Sequence, residues 1–183
     1  MNPRLFHIGN VVIDIVLQVP DLPVRGGDTL SSNRLTTAGG GYNVMLAASR
    51  QGLPTIYGGL LGMGPFASLA QQALKEAHIT VGNHPEPNAD TGIVICLIDN
   101  DGERTFVTSP GAESMLTARH LSTLTPTRND VVYISGYSLI HPSNREAILA
   151  WLEYLSPDVQ LVFDPGPLVD QIPGLALSTL LSR

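Results

Sequence analysis

The chain has 183 residues, 43% of them hydrophobic and 14% charged, enough for one sizeable core or for one complete domain plus a small appendage. Sixteen acidic against ten basic residues leave a formal charge of −6, and nine of the ten basic residues are arginines scattered singly, which argues against a nucleic-acid groove or a polybasic membrane patch. Cys96 is the only cysteine, so an intramolecular disulfide and a cysteine-based zinc site are excluded and a reducing cytoplasm is the expected location.

Residues 6–19 read as one long strand, buried at its start and alternating in its second half, where Ile15, Leu17 and Val19 line one face. Its apolar part is interrupted by Asp14 and Gln18 and is not a signal peptide, and no run approaches the roughly 18 apolar residues of a spanning helix. Two prolines and a Gly-Gly pair break residues 20–28, and the alternating stretch 29–37 predicts a half-exposed strand ending at Ala38-Gly39-Gly40-Gly41. A helix is expected over 42–51 with Gly52 as its stop, then a short strand over 55–61 and a helix over 65–77 with Pro65 in its first turn. The β-branched run 91–98, the turn Asn100-Asp101-Gly102 and residues 104–108 predict a β-hairpin. Helix (117–124), strand (130–135), helix (144–155), strand (159–164) and a helical stretch from Pro173 follow, the alternation of a parallel α/β sheet. The apolar strands at 131–134 and 159–163 suit a sheet covered by helices on both faces, whereas segments 15–37 and 92–108 look like a small β-layer outside it. Edge strands of one mixed sheet are the alternative, which periodicity does not decide.

Two features point to chemistry. Ala38-Gly39-Gly40-Gly41-Tyr42-Asn43 joins an outlying strand to a helix start, where glycines admit a close ligand, free N–H groups face outward and Asn43 both donates and accepts. Taken alone it reads by default as a glycine-rich hinge with no ligand. Asp14 is a carboxylate within an apolar strand, and burying it is costly unless partners such as vicinal sugar hydroxyls meet it. A carboxylate placed where the strand leaves the core for water is the competing reading.

With these residues in hand, the chain resembles the ribokinase-like carbohydrate kinases of the PfkB family. Gly39-Gly40-Gly41-Tyr42-Asn43, Gly52 and Gly62 follow the spacing of the family's N-terminal signature, with Met45 in place of a small residue. Residues 9–14, the Asp101-Gly102-Glu103-Arg104-Thr105-Phe106 hairpin, Gly111-Ala112 and Asp164-Pro165-Gly166-Pro167 continue the match in order over nearly the whole chain. The resemblance implies an α/β fold: a Rossmann-type parallel sheet flanked by helices, with a small β-sheet lid, inserted at about 15–37 and 92–108, closing over a sugar or nucleoside. By position, Asp14, Asn43 and Asn10 would line the substrate site, Gly39, Gly40 and Gly41 would form its hinge and helix start, and Arg104 is a candidate phosphate contact, though a solvated hairpin charge is its plainer role. Glu113 stands in place of a frequent asparagine, Gly136 in place of a sugar-binding glutamate of some pentose kinases, and Leu168 in place of a common arginine.

The resemblance also implies ATP and Mg2+, a cytoplasmic enzyme, and a homodimer formed through the lid, with no nucleic-acid or membrane partner. It places the catalytic aspartate in a C-terminal Gly-Ala-Gly-Asp motif preceded by a magnesium-associated Asn-x-x-Glu, and both are expected to be absent from this chain. Gly111-Ala112-Glu113-Ser114 lacks the second glycine and the aspartate. The expectation is therefore an N-terminal portion of a sugar kinase, with the C-terminal part of the fold missing and no activity by itself; a non-catalytic sugar-binding fragment working with a partner chain is the alternative. Gly62-Met63-Gly64-Pro65-Phe66-Ala67 raises dinucleotide binding as a rival, weakened because no acidic residue ends the next strand at 79–84. The five histidines show no ligand spacing and read as surface or packing residues.

Overall fold

The computed structural model describes residues 2–183 and contains two separate sheets. The larger is wholly parallel, in the order β5-β4-β1-β8-β9, from Thr80–Val81 (β5), Thr55–Tyr57 (β4), Leu5–Ile8 (β1), Val131–Ser135 (β8) and Gln160–Asp164 (β9). The smaller has the order β3-β2-β6-β7, from Asn33–Gly40 (β3), Val11–Gln18 (β2), Ile93–Ile98 (β6) and Arg104–Ser109 (β7), with β2 antiparallel to β3 and parallel to β6. The outlying segments are thus a second sheet and not edges of the first. The expected hairpin is present as the antiparallel β6–β7 pair.

The single strand expected over 6–19 is two strands in different sheets, broken at Gly9-Asn10. The Gly9-Asn10 pair marks the break in the sequence, but only the pairing partners show that its two sides belong to different sheets. The strand expected at 29–37 runs instead from Asn33 to Gly40, and its glycines pair with Val12 and Val11 of β2. Tyr42–Arg50 (α1) and Pro65–Glu76 (α2) match expectation within a residue. The helix expected over 117–124 shortens to Ala118–Leu121 (α3), and Gly136–Ile140 (α4), not anticipated, precedes Pro142–Tyr154 (α5) and Gly174–Leu181 (α6).

Helices α3, α5 and α6 cover one face of the large sheet, packing Leu121, Ile148, Leu152 and Leu180 on Phe6, Ile8, Val132 and Ile134. On the other side α1 and α2 bury Met45, Ala70 and Leu74 against Tyr57 and against Val11, Ile13 and Ala38 at the base of the small sheet. Strand β9 is covered on one face only: Leu161 and Phe163 join the core while Val162 stays 44% exposed. The sheet expected to be sheathed on both faces is therefore open there. No helix among the described residues is long and apolar enough to cross a membrane.

Candidate acceptor site at the junction of the two sheets

The break after β1 and the junction of β3 with α1 meet in space, where Gly41 N donates to Asn10 O at 2.8 Å. This is the carboxyl end of a central parallel strand, the place where open α/β sheets bind ligands. Gly40 has φ +62°, and a Cβ there would stand 2.7 Å from Asn10 O, so backbone conformation and close approach both demand glycine. Gly39 is needed for space, since a Cβ would fall on the Asp14 carboxylate.

Asp14 is half-buried, and the one ion pair among the described residues, Arg4 with Asp130, does not involve it. Burial alone pushes its carboxyl up from the ordinary value, so it carries the cost of desolvation without compensation from this chain. Beside it, α1 has no side-chain cap and no acidic residue in its first turn, leaving the amides of Tyr42, Asn43 and Val44 outside the helical ladder. Asn43 is exposed, and Asn10 is fixed by Ser138, whose Oγ donates to Asn10 Oδ1 at 2.9 Å. An unpartnered carboxylate, two carboxamides and free helix amides offer the donors and acceptors that a neutral polyol can use. Asp14, Asn10, Asn43 and Gly39 to Gly41 are thus assembled at one junction.

Arg104 lies farther along the same face of the small sheet. It is exposed at the start of β7 in the cross-strand row of Ile98 and Gln18, whereas Asp14 shares its row with Val94 and Thr108. Four residues of strand separate the rows, about 13 Å.

Asp90 settles the dinucleotide motif. Its carboxylate accepts from Phe66 N at 3.1 Å and Ala67 N at 2.7 Å, occupying the α2 start where a pyrophosphate would sit. Gly62 and Gly64 give room to this segment, since side chains there would fall on Ala89, Asp90 or both. Glu113 is likewise spent internally: fully buried, it accepts from Gly92 N and Gly111 N at 2.8 Å each, pinning both feet of the β6–β7 hairpin. A glutamate at Gly136 is excluded by Pro165 O, on which its Cβ would fall.

The spacing Asn-x-x-Glu does occur, at 83–86 and 100–103, correcting the expectation that it is absent. Asn83 donates to Gly58 O and Gly59 O, Glu86 accepts from Asn88, and Asn100 lies in the hairpin turn, so neither copy faces the junction. No cluster of three metal-ligating side chains occurs among the described residues.

Two features escape the sequence. Tyr133 donates to Asp164 Oδ2 at 2.8 Å at the carboxyl ends of β8 and β9, and burial first, then this bond, pushes the phenol up. Beneath it lies His7, fully buried and stacked on Tyr133 with ring centroids 4.7 Å apart. Nothing in the pattern Leu-Phe-His-Ile marks this histidine as different from any strand residue.

The model of the pfkB family carbohydrate kinases matches residues 2–176. A sugar kinase of Escherichia coli K12, YegV, described as uncharacterized, is 32% identical over 177 residues, covering 96% of this chain and 54% of that protein. Among solved structures, Giardia lamblia ribokinase superposes with a TM-score of 0.84 at 23% identity, covering 99% of this chain and 59% of that one. Arabidopsis thaliana ribokinase, complexed with ribose and ATP, gives 0.63 at 21%, covering 91% and 54%. The chain spans about half the length of the proteins it matches.

Proposed function

Since the chain belongs to the pfkB family of carbohydrate kinases, we propose that its junction of sheets is the acceptor site of an ATP-dependent sugar kinase, holding the sugar whose hydroxyl receives the phosphoryl group. The observation that carries this reading is the half-buried Asp14 carboxylate, unpaired and set beside the uncapped start of α1. Two oxygens suit two vicinal hydroxyls, and Asn10 and Asn43 orient further ones. Gly39 and Gly40 act as the hinge on which the small sheet closes as a lid over the substrate. Without a glutamate at 136, the site lacks that sugar contact, so its substrate preference differs from kinases that have one.

The start of α2 and the buried carboxylates Glu113 and Asp130 are not free for a nucleotide or magnesium. The amides of α2 are spent on Asp90, and Glu113 and Asp130 are spent on internal hydrogen bonds. The chain therefore supplies the acceptor side, and residues 1–183 by themselves bind sugar without turning over ATP. Binding without transfer, in service of a partner chain, is the second reading and rests on the same cradle. Leu35 and Phe106, exposed on the Asp14 face of the small sheet, support a homodimer formed lid to lid.

Calorimetric titration with D-ribose and D-fructose tests the site. Asp14→Ala and Asn43→Ala each weaken binding at least tenfold, and unchanged affinity in both variants overturns the assignment. ATP hydrolysis stimulated by sugar, measured on this chain alone, would show that the transfer machinery lies within it.

A further inference from the structure

His7 is 0% exposed, and its two ring nitrogens are the only buried side-chain nitrogen or oxygen atoms among the described residues without a hydrogen-bond partner. The ring lies under the acceptor junction. A Cβ on Gly41 would stand 2.6 Å from Nε2 and overlap Cε1, and one on Gly9 would overlap the same carbon. Gly41 has φ −60°, which any residue adopts, so glycine is required there by the imidazole and not by the backbone. A leucine would fill the same space without leaving two polar atoms unpaired, so packing does not explain a histidine here.

Resting on the acceptor-site reading above, we propose that His7 is a positioning residue of that site: a neutral strut between Gly9 and Gly41 whose unspent ring nitrogens gain a partner when the Gly39–Gly41 turn moves over bound sugar. Three observations support it. The ring touches both backbone segments whose neighbours, Asn10 and Asn43, line the cradle. Its other side is fixed by the stack on Tyr133, itself tied to Asp164, so only the glycine side can yield. Burial lowers its pKa to about 4, which keeps the ring uncharged and able both to donate and to accept at neutral pH. Orphaned in one arrangement and paired in another, the ring biases the turn toward the sugar-bound form.

His7→Leu and His7→Gln are compared with the parent chain by thermal melting, amide hydrogen exchange at residues 39–43, and titration with D-ribose and D-fructose. The expected signature for His7→Leu is opposite in sign: a higher melting temperature and slower exchange at the turn, with sugar affinity reduced about tenfold, while His7→Gln retains affinity within about threefold. A purely structural side chain moves stability and affinity together. A higher melting temperature with exchange and affinity both unchanged overturns the proposal. If no variant, nor the parent, binds either sugar, the acceptor-site reading fails; altered exchange in His7→Leu then upholds His7 as the residue that sets the turn, and unaltered exchange overturns that as well.

Discussion

Desolvation dominates the titration of individual side chains. His7 holds a pKa of about 4 against 6.5 in an unfolded chain; burial is the main cause, with the pull of its own backbone and then the charge of Asp164 opposing. Between these values the unfolded chain binds a proton that the folded one refuses, so stability is full above pH 6.5 and falls as the pH drops toward 4, by on the order of 3 kcal/mol in all. His141, also lowered by burial, adds in the same direction. Asp130 works in a lower window: burial raises it, but hydrogen bonds from Arg4 and Thr127 overcome that and hold it at about 2, so its contribution is lost only between about pH 4 and 2. Urea melts at pH 7 and pH 4.5 therefore show a clear loss for the parent chain and a much smaller one for His7→Leu; equal losses in both would mean that His7 titrates normally. The same cost acts on Asp14 in the opposite sense, raising its carboxyl above the ordinary value.

Secondary elements are held by carboxylates used across the chain. Asp90 caps α2 from 23 residues away in sequence, and Glu113 clamps the feet of the hairpin. Asp90→Ala frees the amides of Phe66 and Ala67 and removes a cap, with an expected cost of roughly 1–2 kcal/mol in urea denaturation. Sugar affinity should be unchanged, because α1 and not α2 faces the cradle; an equal loss of affinity would place α2 in the site. The limits of α1 and α2 were legible, since Gly52 and Pro65 mark them locally. The split of 6–19 and the short helix α4 were not, although Gly9-Asn10, Gly136 and Pro142 stand at their limits, because the assignment of each depends on which strands pair.

At the scale of the whole molecule, the exposed apolar side chains include the uncovered face of β9 around Val162 and the row on the small sheet that carries Leu35 and Phe106. Edges of this kind attract a second surface. Sedimentation at micromolar concentration should show dimers that Phe106→Glu disperses; a monomer at all concentrations, or dimers indifferent to that change, refutes pairing through the lid. The sequence by itself determined the parallel α/β alternation, the hairpin, the glycine-rich helix start and the candidacy of Asp14, because each rests on short-range pattern or on the chemistry of one side chain. Only the tertiary structure decided that the long strand serves two sheets, that the Gly-x-Gly turn before α2 is filled by Asp90, that Arg104 lies four residues of strand beyond the row of Asp14, and that His7 packs under Gly9 and Gly41. Those depend on contacts between residues far apart in the chain, and long-range packing leaves no periodic mark in the sequence that it brings together.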